Sequence, residues 1–257
     1  MLLRKESWAS GFFYERLLRC DVTKKTSQKG KRAAGESATS FAQGGSGPTL
    51  EFESQLGFPE RVIVGVDEVG RGCLAGPVVA AAAIFPSTFE WNELALEDRP
   101  WLRWVRDSKK LSAERRSELA PLLKGFLLGW AIGEASVEEI DRLNIYHASH
   151  LAMVRALAAL STRYDAVLVD GNRIPKGITA PSLAVVKGDD RSLRIAAASI
   201  LAKVYRDQGM DAFESQYPGY GFAQHKGYGT PVHTRALREH GPTPIHRRSF
   251  APVAALL

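Results

Sequence analysis

The stretch VIVGVDEVGRGCLAGPVVAAAAIF, Val62 to Phe85, decides how the chain is read. "RVIVGVD" and "PVVAAAAIF" are apolar and β-branched or small, and read as two strands joined by a glycine-rich turn of hairpin length. Two carboxylates, Asp67 and Glu68, stand together as the first strand ends, and Arg71 sits between Gly70 and Gly72. Gly70, Gly72 and Gly76 spell G-x-G-x-x-x-G, one residue away from a dinucleotide-binding fingerprint. That fingerprint requires a helix directly after the glycines, whereas here Pro77 opens a β-branched strand. The nucleotide-cofactor reading therefore fails on context. Two readings remain: a tight turn whose bare backbone lets a polymer approach closely, with Arg71 beside the carboxylates, or a plain hairpin with a solvated arginine.

Outward from this hairpin, short apolar runs alternate with helical periods. "SAERRSELAPLL" (112–123) reads as a helix with Ser112 as N-cap, and "FLLGWAIGEA" as a strand. Ser136 and Glu139 form a capping box opening a short helix. "NIYHASHLAMVRALAAL" is a longer helix with Leu151, Val154 and Ala158 on one face. "YDAVLVD" and "SLAVVKGD" are again strands, and "RSLRIAAASILAKVYRD" is a helix with Leu193, Ala197, Ile200 and Val204 on one stripe. Beyond Tyr217 the chain is rich in Gly, Pro and His, with one more helix expected around Val232 to His240. The succession predicts an α/β domain whose first strands are antiparallel and whose later strands are entered through helices.

Length and charge bound the rest. With 257 residues, 45% of them hydrophobic, the chain can bury a sizeable core. No run approaches the ~18 apolar residues of a membrane span, "MLLRKESWASGFFYERLL" is too broken by charge for a secretory signal, and a cytoplasmic location is the expectation. Cys20 and Cys73 are too few for a disulfide framework or a cysteine zinc site. Residues 1–50 carry nine Lys/Arg against four Asp/Glu, which is +5 of the total +6 and leaves +1 for residues 51–257. Any nucleic-acid site in the latter must be a local patch. Thr23 to Thr49 lacks large apolar side chains and reads as disordered; "WASGFFYERLL" before it can form a short amphipathic helix or an untethered leader.

Asp67 follows "VIVGV", Asp170 follows "AVLV" and Asp189 follows "LAVVKG", so three acids stand at or just past the ends of separate strands. Strand ends of α/β sheets are where ligand sites collect, although a single such Asp commonly just caps a turn. Converging carboxylates repel, so a cluster that includes Glu68 persists only around a cation, and all-oxygen ligands suit Mg²⁺ or Mn²⁺. "DSKKLS" (107–112) simply precedes a helix or uses Lys109 and Lys110 as phosphate-holding point charges. "HKGYG" (225–229) places Tyr228 where its ring could stack on a sugar or base. His225, His233, His240 and His246 match no zinc spacing, and His147 and His150 read as packing or surface residues.

Assembled, these segments resemble the type 2 ribonuclease H family, ribonuclease HII. The resemblance is carried by "GVDEVGRGCLAGPVVAAAAI", "DSKKLS", "EIDRLNIYHASHLAM", "VLVDGNRIP", "VVKGDD", "AAASILAKVYRD", "YGFAQHKGYGT" and "HGPTPIHRRSFAPV", in the family's order from about Arg61 to Val253. It implies a ribonuclease H-like fold, a mixed sheet flanked by helices, with a catalytic domain over 61–257 and a helical C-terminal region from about 210; residues 1–60, which it does not cover, read as a basic, largely disordered extension. It implies cleavage of the RNA strand of RNA–DNA hybrids and incision 5′ to single ribonucleotides in duplex DNA, leaving a 5′-phosphate and a 3′-hydroxyl. The resemblance maps two divalent ions, Mn²⁺ or Mg²⁺, onto Asp67, Glu68, Asp170 and Asp189, and recognition of the 2′-hydroxyl onto Gly70, Arg71 and Gly72. Tyr228 falls where the family stacks a tyrosine on the adjoining deoxyribose. Cys73 is a departure, since the family usually has proline there. The partner implied is a hybrid or ribonucleotide-containing duplex, with a monomer as the default. A junction resolvase on the same fold would share the acids but not the glycine-arginine-glycine turn; a non-catalytic hybrid-binding protein would lack an acid.

Overall fold

The structure, a computed structural model, describes residues 48–89 and 93–257. The basic leader and nearly all of the segment expected to be disordered lie outside the described residues. Five strands form one sheet: β1 Ile63–Val69, β2 Val78–Ile84, β3 Gly129–Ala135, β4 Ala166–Asp170 and β5 Ser182–Val185, in the order β3-β2-β1-β4-β5. β1 pairs antiparallel with β2 and β2 with β3, while β4 is parallel to both β1 and β5. The mixed sheet is the one the sequence predicts.

The described helices are α1 Glu51–Gln55, α2 Glu93–Asp98, α3 Ala113–Phe126, α4 Val137–Leu143, α5 Ile145–Ala158, α6 Gly188–Arg191, α7 Leu193–Gln216, α8 Phe222–His225, α9 Pro231–His240 and α10 Ala251–Ala254, with 3₁₀ turns at Pro100–Trp104 and Ser108–Lys110. Local chemistry starts several of them. The hydroxyls of Ser112 and Ser192 accept backbone N–H groups as N-caps, and Ser136 with Glu139 forms the expected capping box.

β2 reads VVAAAAI and is buried throughout. Alternate residues serve two layers: Val79, Ala81 and Ala83 face α7 and α3, while Val78, Ala80, Ala82 and Ile84 face α5. Small side chains let both helices lie close to the sheet. On β1 the approach is closer still, because a Cβ on Gly65 would stand 2.6 Å from the backbone nitrogen of Ile195 in α7. α7, whose 24 residues span ~36 Å, continues nine residues beyond the Asp207 where its sequence pattern fades.

Further boundaries differ from the sequence reading. β5 ends at Val185, and Asp189 lies instead on the single turn of α6, entered through Lys187 in the left-handed conformation. Residues 48–60, which the sequence reading set outside the domain, contribute a buried Phe52 and a fully buried Glu53. The Glu53 carboxylate accepts a hydrogen bond from the Ser192 hydroxyl at 2.7 Å and lies 3.4 Å from Arg194 of α7.

Candidate metal and nucleic-acid site

The parallel ladder between β1 and β4 ends at Val66↔Val169, so Asp67 and Asp170 follow as neighbours at the carboxyl ends of adjoining strands. Glu68 comes next on β1, where β4 no longer flanks it. Ligand oxygens of Asp67, Glu68 and Asp170 lie within 4.8 Å of one another. Asp67 is buried and accepts hydrogen bonds from the Glu68 backbone N–H at 2.7 Å and from Ser199 of α7. Asp170 accepts from the backbone N–H of Gly188 at 2.7 Å. One Glu68 oxygen meets Arg71 at 3.2 Å, while the other is buried with no hydrogen-bond partner.

This arrangement is electrostatically costly without a counter-ion. Burial, with repulsion from Glu68 and Asp170, holds the Asp67 carboxyl well above the usual carboxylate range. Burial likewise pushes Glu68 up to about 7 against the pull of Arg71, and burial and Asp189 raise Asp170. An orphaned buried oxygen amid three oxygen donors fits a hard divalent cation, which would replace mutual repulsion with attraction.

Asp189 stands outside that close group. Its carboxylate takes Lys109 Nζ at 3.1 Å, and Asp190 beside it takes Lys110 Nζ at 2.7 Å. Burial opposes the Lys109 charge, yet the hydrogen bond to Asp189 and the nearby carboxylates hold its pKa above the ordinary value. Both lysines of "DSKKLS" are thus tied to the rim of the acid pocket, joined to it also by Ser108, whose hydroxyl meets that of Ser199 at 2.9 Å.

The two glycines of the turn differ. Gly70 has φ +93°, and a Cβ there would strike the Arg206 side chain; the fold itself requires glycine. Gly72 is not in the left-handed region, and a Cβ there would meet nothing within 4 Å. Its bare backbone faces open space beside Arg71, whose side chain is 52% exposed.

What the sequence did not reveal is the bracing beneath this turn. Two buried arginines, Arg206 on α7 and Arg247 before α10, spend their guanidinium N–H groups on backbone carbonyls. Arg247 donates to Gly70 at 2.7 Å, Arg71 at 2.9 Å and Gly76 at 3.0 Å. Arg206 donates to Ala75 at 3.0 Å, Pro77 at 3.1 Å and Lys226 at 2.8 Å. The last of these ties the turn to the loop carrying Tyr228. That loop also runs alongside Cys73, with the Leu74 N–H donating to Gly227 at 2.8 Å. Tyr228 is 40% exposed, and Lys203 Nζ lies 5.8 Å from its ring centre.

Histidines that the sequence reading set aside support the same loop. The Thr243 N–H donates to His246 Nδ1 at 2.9 Å, so His246 carries its proton on Nε2 and gives it to His233 Nε2 at 3.0 Å. His233 Nδ1–H then donates to the Tyr228 carbonyl at 2.9 Å. His225 stacks on His233 with ring centres 4.4 Å apart and bonds to the Tyr220 carbonyl at 2.7 Å. Burial, helped by His233, pushes His246 down to about 4. His147 and His150 flank Tyr146 on α5, and His240 is exposed on α9.

A family model described as Ribonuclease HII matches residues 64–253. A ribonuclease HII from Dechloromonas aromatica (strain RCB) is 52% identical over 203 residues, which is 79% of this chain and 97% of that relative. One from Myxococcus xanthus (strain DK1622) is 51% identical, over 81% of this chain and 68% of its own. Among solved structures, ribonuclease H2 from Pyrococcus horikoshii OT3 superposes with a TM-score of 0.61 at 27% identity, covering 76% of this chain and 96% of the other.

Proposed function

Because the chain belongs to the ribonuclease HII family, a metal-dependent nuclease acting on RNA–DNA hybrids, we propose that it also incises duplex DNA 5′ to a single embedded ribonucleotide. The products would be a 5′-phosphate and a 3′-hydroxyl. The observation that carries this reading is the juxtaposition of the acid pocket with Gly72, a glycine that the fold does not require. A backbone left bare next to a carboxylate cluster suits a ribose pressed against it, and the 2′-hydroxyl is what separates RNA from DNA.

Asp67, Glu68 and Asp170 would hold one divalent ion, Mg²⁺ or Mn²⁺, and Asp189 would help hold a second. Such a pair supplies an activated water, charge stabilisation at phosphorus and neutralisation of the leaving oxygen. The chain's own residues then do the positioning. The Gly70–Gly72 backbone and Arg71 read the 2′-hydroxyl, Arg247 and Arg206 hold that backbone rigid, and Tyr228 stacks on the neighbouring deoxyribose. Lys109 and Lys110, already at the rim, exchange carboxylate partners for substrate phosphates. Reading and cutting share one place, so specificity needs no separate recognition domain.

The test is incubation of the purified protein with Mg²⁺ or Mn²⁺ and a duplex containing one ribonucleotide, with the cut mapped at nucleotide resolution. Incision 5′ to the ribonucleotide is expected. Cleavage of an all-RNA strand alone, with the single-ribonucleotide duplex intact, would refute the proposal.

A further inference from the structure

Residues 99–116, RPWLRWVRDSKKLSAERR, carry seven Lys/Arg and only two Asp/Glu, although residues 51–257 as a whole net +1. This is a local basic patch, and the fold fixes its orientation. Leu102 and Val105 are buried, and Trp101 packs edge-on against Phe126 with ring centres 5.7 Å apart. With those three turned inward, Arg103 and Trp104 are presented to solvent. Trp104 is 40% exposed, with the guanidiniums of Arg106 and Arg115 at 5.3 and 4.8 Å from its ring centre.

The charges here are not balanced locally. Arg115 pairs with Glu118 at 2.9 Å. The Arg103 side chain makes no hydrogen bond or ion pair among the described residues, and Arg106 Nε is buried without a hydrogen-bond partner. An exposed indole with two guanidiniums beside its ring presents apolar surface and forked donors together. That pairing matches a sugar face beside phosphate oxygens. Farther along the same segment Lys109 stands at the acid pocket. Five residues separate it from Trp104, a reach of at most ~17 Å, or about five base steps at ~3.4 Å each.

We propose that Arg103, Trp104 and Arg106 form an accessory binding surface for the sugar–phosphate backbone of the substrate duplex, up to about five base steps from the scissile position. Arg103 and Arg106 grip phosphates, and Trp104 lies against a sugar. The inference rests on the nuclease reading only for the direction in which the duplex leaves the site. The grip is independent of base sequence.

The experiment compares wild type, Arg103→Ala/Arg106→Ala and Trp104→Ala on two single-ribonucleotide duplexes, one long and one ending before the rim. Binding is measured in EDTA across salt concentrations and cleavage with Mg²⁺. On the long duplex, the double variant should lower the slope of log K against log salt by about 1.8, so the wild type's advantage grows about twelvefold when salt falls fourfold. KM for the long duplex should rise in both variants with kcat unchanged, and neither value should move on the short one. Equal slopes and equal KM on the long duplex would overturn the proposal, as would an equal loss on single-stranded DNA. Should Arg106→Ala unfold the segment, the exposed Arg103→Ala alone should lower the slope by about 0.9. If wild type cuts neither duplex the nuclease reading falls, while the binding slopes still judge the rim.

Discussion

Replacing Gly70 and Gly72 by alanine, one at a time, separates what the fold needs from what the substrate needs. At Gly72 the new methyl meets nothing within 4 Å and the backbone is not left-handed. The substitution should therefore stabilise by ~0.4–1 kcal/mol, through reduced freedom of the unfolded chain. At Gly70 the methyl would stand in the left-handed region at φ +93° and 2.8 Å from Arg206 Cδ. The backbone penalty is ~1–2 kcal/mol, and displacing Arg206 from its three carbonyls adds about 1 kcal/mol for each. The sum, roughly 4–5 kcal/mol, lowers Tm by about 8–20 °C in a domain of this size. Scanning calorimetry reads those shifts, and steady-state cleavage of a single-ribonucleotide duplex reads the chemistry. Gly72→Ala should keep or raise Tm yet lose about a hundredfold in kcat/KM, the order of loss when a reacting group is held ~1 Å out of place. If Gly72→Ala is stable and cleaves within threefold of wild type, no ribose approaches Gly72 and the reasoning about that turn is wrong.

Asp67→Asn removes a carboxylate that burial, Glu68 and Asp170 all disfavour; Tm at neutral pH should hold or rise while cleavage and calorimetric Mn²⁺ binding are lost. A destabilised variant that still binds Mn²⁺ would contradict the electrostatic account. Arg247→Met strips donors from the carbonyls of Gly70, Arg71 and Gly76 and should cost about 3–4 kcal/mol, at ~1 kcal/mol or slightly more for each of those hydrogen bonds. Arg247→Lys, which keeps the charge but not the planar fork, should recover only part, and an unchanged melting temperature in Arg247→Met would remove the bracing role. His246 titrates at about 4 in the folded chain, against an ordinary value of 6.5. The unfolded chain therefore binds the extra proton first, so stability from this group is complete above pH ~6.5 and drains away as pH falls toward 4, by roughly 2–3 kcal/mol. Denaturant unfolding of His246→Gln should lack that part of the acid loss; an identical pH slope in variant and wild type would refute it.

Much of the fold was legible because its signals are local. A β-branched run, a glycine turn and an alanine-rich run announce the β1–β2 hairpin, capping residues announce α3 and α4, and an apolar stripe announces α7. The acids Asp67 and Asp170 were visible because several acids at successive strand ends, with Glu68 adjacent, outweigh the turn-capping that would account for any single one, and parallel register puts them side by side. Asp189 was less legible: its strand stops at Val185, and whether the acid reaches the others is decided by the left-handed Lys187 and the competing Lys109. Arg206 and Arg247 were invisible because an arginine in sequence looks like surface, and only tertiary packing can bury one against carbonyls drawn from distant turns. The same holds for Glu53, whose partner Arg194 lies on the far side of the chain.

The alanines of β2 set a clearance. Ala81 and Ala83 fix how near α7 lies to the sheet on one side, and Ala80 and Ala82 do the same for α5 on the other. Because α7 carries both Ser199 and Arg206, strand thickness gauges where the hydrogen bond to Asp67 and the clamp on Pro77 fall. A single methylene added at Ala81 would act as a wedge driven between sheet and helix. Its first symptom would be a misaligned cutting edge in a molecule that still folds.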